Sequence, residues 1–420
     1  MTETPTSWLR AIRGFDRNAY LLFATGGILG FTYLGITTLL SNLFFVRLGY
    51  GTEVIGNLNA LFYLLHMAFS VPAGAVGMRF GSRRAMLAGG VIALAGWGIA
   101  PAASFLLFPD LRMAALVGSR VLGALGGALF IVNSNPALIG AVDPGSGTYA
   151  FAFNNVVVSI STFLGNVCGG LFPPFFSWAT GKNLASSLPY GLSLWAAVAC
   201  LLPGLAALSV FRETGRGNQE PDAAGGARAP LAIIALIAVV RFFREVGYGG
   251  VTGFFTVYLD SRLQLSTAII GLLVSVSSIA SVVFSPMMPP VARRWGTGRT
   301  SLAGLLVMAA GVLPIALLEH PVSAGIGWAG MTAANSMNEA AMQVYIMTAV
   351  APRWRALMSG AANMATTLGL AASASAGGYA IGAWGYRTLF LISAGSILAS
   401  AAFFGVHLWT RARRGAPAES

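Results

Sequence analysis

The sequence predicts an all-α integral membrane protein with twelve transmembrane helices in two pseudo-symmetric six-helix halves. Composition is the first observation behind this. Charged residues are 9% of the chain and hydrophobic ones 56%, with a mean hydropathy of +0.74, whereas a soluble domain carries about 25% charged residues. The second is a series of apolar runs, each long enough to cross a bilayer with some tilt. The third is an internal repeat at an offset of 215 residues.

Taken in order, residues 1–18 form a cytoplasmic amphipathic segment. Between Ser7 and Arg17, the residues Trp8, Leu9, Ile12 and Phe15 interleave with Arg10, Arg13 and Arg17, which suits a helix lying on a membrane surface. A full-length apolar run follows, so the segment does not read as a cleavable signal peptide. The spans are expected near 19–46, 54–78, 85–105, 113–140, 148–176 and 190–211, then 231–259, 266–291, 300–318, 321–350, 356–384 and 387–410. The only long polar stretch among them, 212–230, is a cytoplasmic linker separating a first half, 19–211, from a second, 231–411, with a cytoplasmic tail at 412–420.

Arginine placement orients the chain. With both termini in the cytoplasm, seventeen basic residues, among them Arg79, Arg83, Arg84, Arg212 and Arg294, fall on that side. The other side holds five: Arg47, Arg112, Lys182, Arg262 and Arg387. The net charge of +12 is thereby explained by topology and does not indicate a nucleic-acid partner. Cys168 and Cys200 lie inside apolar runs and form no disulfide framework.

The repeat keeps one register over a long stretch. Arg47 and Leu48 correspond to Arg262 and Leu263, Ile55 and Gly56 to Ile270 and Gly271. Arg79, Phe80 and Gly81 correspond to Arg294, Trp295 and Gly296, and Arg84 to Arg299. Halves related in this way are the build of secondary transporters.

The stretch GAVGMRFGSRR, Gly74 to Arg84, resembles the loop motif of the major facilitator superfamily, Gly-x-x-x-Asp-Arg-x-Gly-x-Arg-Arg. Gly74, Arg79, Gly81, Arg83 and Arg84 match, and Met78 stands at the Asp position. Arg120, in VGSRVLGALGGA, resembles the family's fourth-helix arginine motif. The fifth-helix pattern of the family's exporters is matched poorly: Gly165 and Gly169 are present, but Gly170 replaces its proline and Pro173 and Pro174 its later glycines. The resemblance implies the major facilitator fold and alternating access. It also implies a gating role for Gly74, Arg79, Gly81, Arg83, Arg84 and Arg120, and a latch weakened or rebuilt where Met78 replaces the carboxylate. The first, second, fourth, fifth, seventh, eighth, tenth and eleventh helices would line a central cavity.

Ionisable residues deep in a span are costly and so mark function by default. In the seventh span Arg241, Arg244, Glu245, Tyr248 and Thr252 share one helix face, with Arg241 and Glu245 spaced to pair. In the tenth, Asn335, Asn338, Glu339, Met342 and Gln343 share another, with Glu339 near mid-span and only amides beside it. Glu339, then Glu245, are the candidates for proton coupling. Arg241, Arg244, Tyr248, Asn335 and Asn338 are candidates for substrate binding, joined by His66 and Asn59 of the second span and Asn155 and Ser159 of the fifth. Tyr63 extends the second-span stripe, and Thr162 and Asn166 the fifth-span one. The competing readings are static ion pairs for the charges and interhelical hydrogen bonds for the amides.

No phosphate loop, metal-ligand cluster or nucleophile–base pair is recognisable, so neither a cofactor nor an enzyme activity is expected. The function expected is secondary active transport in the cytoplasmic membrane, coupled to protons or another ion. The expected cargo is a small amphipathic or drug-like molecule, with export favoured by an apolar, aromatic cavity. The alternatives are carriage of an organic anion on the deep arginines, three against two glutamates when Arg120 is counted, and a non-transporting receptor of the same fold. Substrate, coupling ion and lipid are the expected partners, and the chain is expected to act as a monomer.

Overall fold

A computed structural model of the chain describes residues 15–142, 146–212, 230–284, 287–351 and 354–413. The amphipathic stretch before Phe15, the linker interior and the last seven residues lie outside them. The described residues are helical almost throughout. Nine of the helices are long and apolar enough to cross a membrane, and one of these, Leu357–Arg411, spans both the eleventh and twelfth expected segments. The chain is a multi-pass membrane protein.

The two long helices outside those nine are Leu231–Ser261 and Pro321–Ala349. They are the seventh and tenth spans; the first carries Arg241, Arg244 and Glu245, and the second Asn335, Asn338 and Glu339. Charge on a helix that must still be buried is where function is to be sought.

The chain forms two compact units. The first comprises Met1–Leu48 and Leu65–Glu220. Its first span runs Arg17–Arg47 and is wound as a π-helix over Gly30–Thr37. The wide turn lies where this helix meets the fifth span, Gly147–Thr180. There a Cβ on Gly35 would sit 2.6 Å from Gly165 Cα, so two backbones touch with no side chain between them. Thr162 Oγ donates across the same seam to the Gly30 carbonyl at 3.2 Å. Third and fourth spans, Ser82–Ala102 and Pro109–Gly140, pack in the same small-residue manner. The sixth span is Leu188–Val210. Phe15, Phe23, Met86, Phe130, Leu138, Leu208 and Phe211 close the core at one end of this unit.

The second unit comprises Gly49–Leu64 and Pro221–Ser420. The outer part of the second span, Thr52–Phe80, thus clusters with the second half of the chain, a boundary that differs from a division at the linker alone. The seventh span packs along the last long helix, Arg355–Arg413, where Ser396 and Ser400 donate to the Phe243 and Val240 carbonyls at 2.7 and 2.8 Å. That last helix is interrupted at Gly385, whose φ of 81° and ψ of 173° separate the expected eleventh and twelfth spans. The eighth span is Thr267–Phe284, with a short helix Met288–Trp295 after it, and the ninth is Thr297–Leu317.

The repeat has a structural counterpart. Gly81 breaks the second span from the third with φ 90° and ψ 147°, and Gly296, its partner at the 215-residue offset, starts the ninth with φ 81° and ψ 152°. Only glycine adopts this region without strain, which is why both positions carry it.

Candidate functional site

The site is built on facing surfaces of the seventh and tenth spans within the second unit. Arg241, Arg244 and Glu245 are buried, at 4%, 2% and 5% exposure. Glu339 is the accessible member of the group, its side chain 48% exposed. Arg241 Nη1 donates to Glu339 Oε2 at 2.5 Å, and Arg244 Nη1 lies 2.9 Å from the same oxygen. Arg244 also bonds its sequence neighbour Glu245 and, through Nη2, the Asn335 side-chain oxygen. Its guanidinium lies 6.0 Å from the Tyr248 ring centroid, at the edge of cation–π range. Two cations and two anions make a neutral cluster, the arrangement under which buried charges survive the loss of water.

Three expectations change here. The Arg241–Glu245 pair does not form; Arg241 crosses to Glu339, and Glu245 takes Arg244. An arginine four residues before a glutamate is the weaker order for a helical pair, and the tenth span offers a better acceptor. Glu339 is therefore not alone among amides but shared by two arginines. Asn338 turns from the shared face: it is fully buried, and its amide donates to the Ser301 carbonyl and hydroxyl at 2.8 and 2.9 Å, binding the ninth span.

The eleventh span meets this cluster at Gly369, where a Cβ would stand 2.8 Å from Glu245 Cβ. Farther along the seventh and tenth spans, Phe255 and Trp328 stack with centroids 4.2 Å apart and planes 3° from parallel. Both rings are buried, so the stack is a rigid wall and not a binding surface. Thr252 turns to its own helix, donating to the Tyr248 carbonyl at 3.0 Å.

The second-span stripe is divided. Asn59 and Tyr63 fall in the second unit, where Tyr63 packs on Ala60, Ala371 and Ala374. His66 falls in the first, where its ring bonds the Ala124 backbone and lies beside Gly127. Asn57, which no sequence pattern marks, accepts from Ser375 at 2.7 Å and donates to the Tyr379 hydroxyl at 3.1 Å.

The fifth-span stripe is divided by use. Thr162 is consumed in the bond to the first span, and Asn166 is 2% exposed, whereas Asn155 is exposed and Ser159 partly so. Beside the stripe, the first unit holds a cavity of about 110 Å³ walled by Leu22, Leu34, Phe130, Ile131 and Val158, with Asn135 and Asn154 as its amides. Neither amide was singled out from the sequence. Asn154 is one of two adjacent asparagines, and only the fold shows which of the two meets the cavity.

Among the gating candidates, Gly81 makes the turn already described and Gly74 faces Val132 of the fourth span. Arg83 donates to the Ser209 carbonyl, tying the loop to the sixth span. Arg79 lies over the Phe80 ring, 5.4 Å from its centroid, and Arg84 is exposed. Met78, at the motif's acidic position, is 86% exposed. Asn133 instead joins the second and fourth spans, donating to the Ala73 carbonyl at 3.1 Å. Arg120 lies over the Phe45 ring at 5.0 Å in the first unit. The second unit's cluster holds Arg241 and Arg244 against Glu245 and Glu339.

Comparison with known proteins agrees with this architecture. Residues 237–419 match the family model of the Major Facilitator Superfamily. No curated protein sequence matches the chain. Among solved structures, the chain superposes on a point mutant of the nucleoside transporter NupG with a TM-score of 0.73 at 14% identity, over 93% of this chain and 98% of that one. It superposes on a D-xylose–proton symporter with a TM-score of 0.73 at 16% identity, over 95% and 97% of the two chains. For the human organic anion transporter MFSD10 the TM-score is 0.61 at 16% identity, over 92% and 99%. Residues 237–419 thus match the model of the family that the loop motif resembles, and the chain as a whole has the fold of these transporters.

Proposed function

We propose that the protein is a secondary active transporter of the cytoplasmic membrane that works by alternating access. A proton binding at Glu339 drives the movement of a small amphipathic organic molecule. The observation that carries this reading is the accessibility of one carboxylate in an otherwise buried, neutral group. Glu339 is the member that water reaches, and it holds two arginines that have no other route to charge balance except Glu245. Adding a proton to Glu339 releases both guanidiniums at once, so a single aqueous event changes the bonding between two spans. Such a link between ligation and packing is what biases a conformational equilibrium. The fold likeness to a D-xylose–proton symporter is in keeping with proton coupling.

The apolar walls of the first unit's cavity support an amphipathic cargo. Orientation rests on the arginine asymmetry, which places the Arg79–Arg84 loop in the cytoplasm. The test is accumulation in proteoliposomes under an imposed pH gradient. Wild-type protein accumulates substrate, and Glu339→Gln supports only downhill exchange. The sign of the effective gradient reads out import or export. Undiminished gradient-driven accumulation in Glu339→Gln rejects the coupling role.

A further inference from the structure

Three features of the charged cluster stand unexplained by a static ion-pair network. The Nε–H groups of Arg241 and Arg244 are buried and have no hydrogen-bond acceptor. Both arginines converge on one oxygen of Glu339, Oε2. The two guanidiniums are 5% and 3% exposed, while the carboxylate in front of them is 48% exposed. A guanidinium presents five N–H donors in a fork suited to two-oxygen acceptors. Arg241 is served by one Glu339 oxygen, and Arg244 by that same oxygen together with Glu245 and Asn335. The two Nε–H donors go unmet, and the group in front of the guanidiniums is the most exposed member of the cluster.

We infer that the charged end of the transported molecule is a carboxylate, which takes the place of Glu339 on Arg241 and Arg244 while a proton from the aqueous phase passes onto Glu339. The inference rests on the proposed proton coupling at Glu339. Charge conservation sets its form. The cluster is neutral as it stands. A monocarboxylate entering alone would leave one uncompensated negative charge beside the buried Arg244–Glu245 pair, which is opposed. One carboxylate with one proton leaves the sum at zero, so the two bind together. A dianionic head group, such as a phosphate ester, would not be balanced by one proton and is disfavoured.

The charged and titratable groups facing Glu339 come mostly from the seventh span. From the seventh span come Arg241, Arg244, Glu245, which Arg244 holds, and Tyr248. Tyr63 of the second span lies within electrostatic reach of Tyr248. The eighth span, Thr267–Phe284, carries no ionisable residue. The ninth span meets the tenth here through Ser301, and the eleventh contributes Gly369 and Ser373 near the cluster.

The experiment uses purified full-length protein and matched acid–amide pairs: benzoate with benzamide, and hexanoate and decanoate with their amides. Binding is followed by ligand-induced thermal shift at mildly acidic and mildly alkaline pH. Carboxylates are expected to bind and the amides not. Carboxylate affinity should fall about tenfold per pH unit on the alkaline side, the slope of one linked proton. In Glu339→Gln the carboxylates should still bind, with that slope gone. Amides binding as well as acids, none of the acids binding, or a pH slope surviving in Glu339→Gln would overturn the inference; the first two need only wild-type protein. Failure of the coupling proposal looks different: acids bind with the expected slope, yet a pH gradient drives no accumulation in proteoliposomes. Gradient-driven accumulation of an amide but no acid leaves coupling intact and removes the carboxylate.

Discussion

Arg241 reaches from the seventh span to Glu339 on the tenth, at 2.5 Å, although Glu245 stands four residues along its own helix. That choice makes the ion pair a tie between two helices instead of a brace within one. It also gives each acidic residue a distinct situation. Glu245 is enclosed with Arg244, and Glu339 is half exposed. The consequences for stability and for coupling can be separated by experiment.

Packing in the first unit predicts one sensitive position. Gly165 meets the backbone of the π-helical turn at Gly35, with no room for a side chain. Gly165→Val should therefore force the first and fifth spans apart, at a cost of roughly 1–3 kcal/mol for overpacking. The check is thermal unfolding of the purified variant, which should melt several degrees below wild type. An unchanged transition would mean the two helices yield at no cost.

Within the second unit, Asn57 and Ser375 are bonded at 2.7 Å, and Thr52 Oγ donates to the Gly378 carbonyl at 3.0 Å nearby. Under the proposed alternating-access cycle, this contact between the second and eleventh spans would open and close. Cysteines at positions 57 and 375, in a background lacking Cys168 and Cys200, should be joined by oxidation or by a short bifunctional reagent. Joined protein should stop transporting, and reductant should restore it. Full turnover with the bridge in place would show that the contact is permanent.

The arginine asymmetry predicts sidedness. Single cysteines at Gly217 and Ser261 should react from opposite faces of intact cells. An impermeant maleimide added outside should label only the second. Labelling of the first from outside would invert the topology.

Much of this architecture was legible because membranes impose simple rules. Apolar length and arginine clusters located the helices, and the Gly81–Gly296 correspondence survived as matching backbone geometry. The two helices that carry the candidate site stood out by their polar residues. What sequence did not reveal was partnering. Arg241 and Glu245 have the spacing of a pair, but a long side chain on a packed helix also samples its neighbour, and Glu339 competes from there. Asn338 shares a helix with Glu339, yet the ninth span claims it through Ser301. Asn57 and Asn154 carried no periodic signal that set them apart from other amides. Their meaning comes from what the fold sets opposite them.

The last prediction contrasts the two carboxylates. Each neutralisation leaves the cluster with one excess positive charge, so composition alone makes the variants equivalent. Accessibility separates them. In Glu339→Gln the excess charge lies where the replaced side chain was 48% exposed, so water can solvate the arginine tips, and the amide oxygen can still accept from Arg241. The loss should be about 1 kcal/mol or less, as for a solvent-screened pair. In Glu245→Gln the excess charge lies at Arg244, beside a side chain only 6% exposed. Breaking a buried pair costs about 3–5 kcal/mol, and the value here should fall near roughly 3 kcal/mol because Glu339 still contacts Arg244. Glu245→Gln should thus lower the melting temperature and folded yield well below those of Glu339→Gln. The functional order should be the reverse per folded molecule. Glu339→Gln loses gradient-driven accumulation outright, whereas whatever Glu245→Gln protein folds retains it in part. Melting curves and proteoliposome accumulation, measured on the same two preparations, decide it. A Glu339→Gln protein that is the less stable of the two, with its accumulation intact, would make Glu339 a structural brace and leave the proton without a site here.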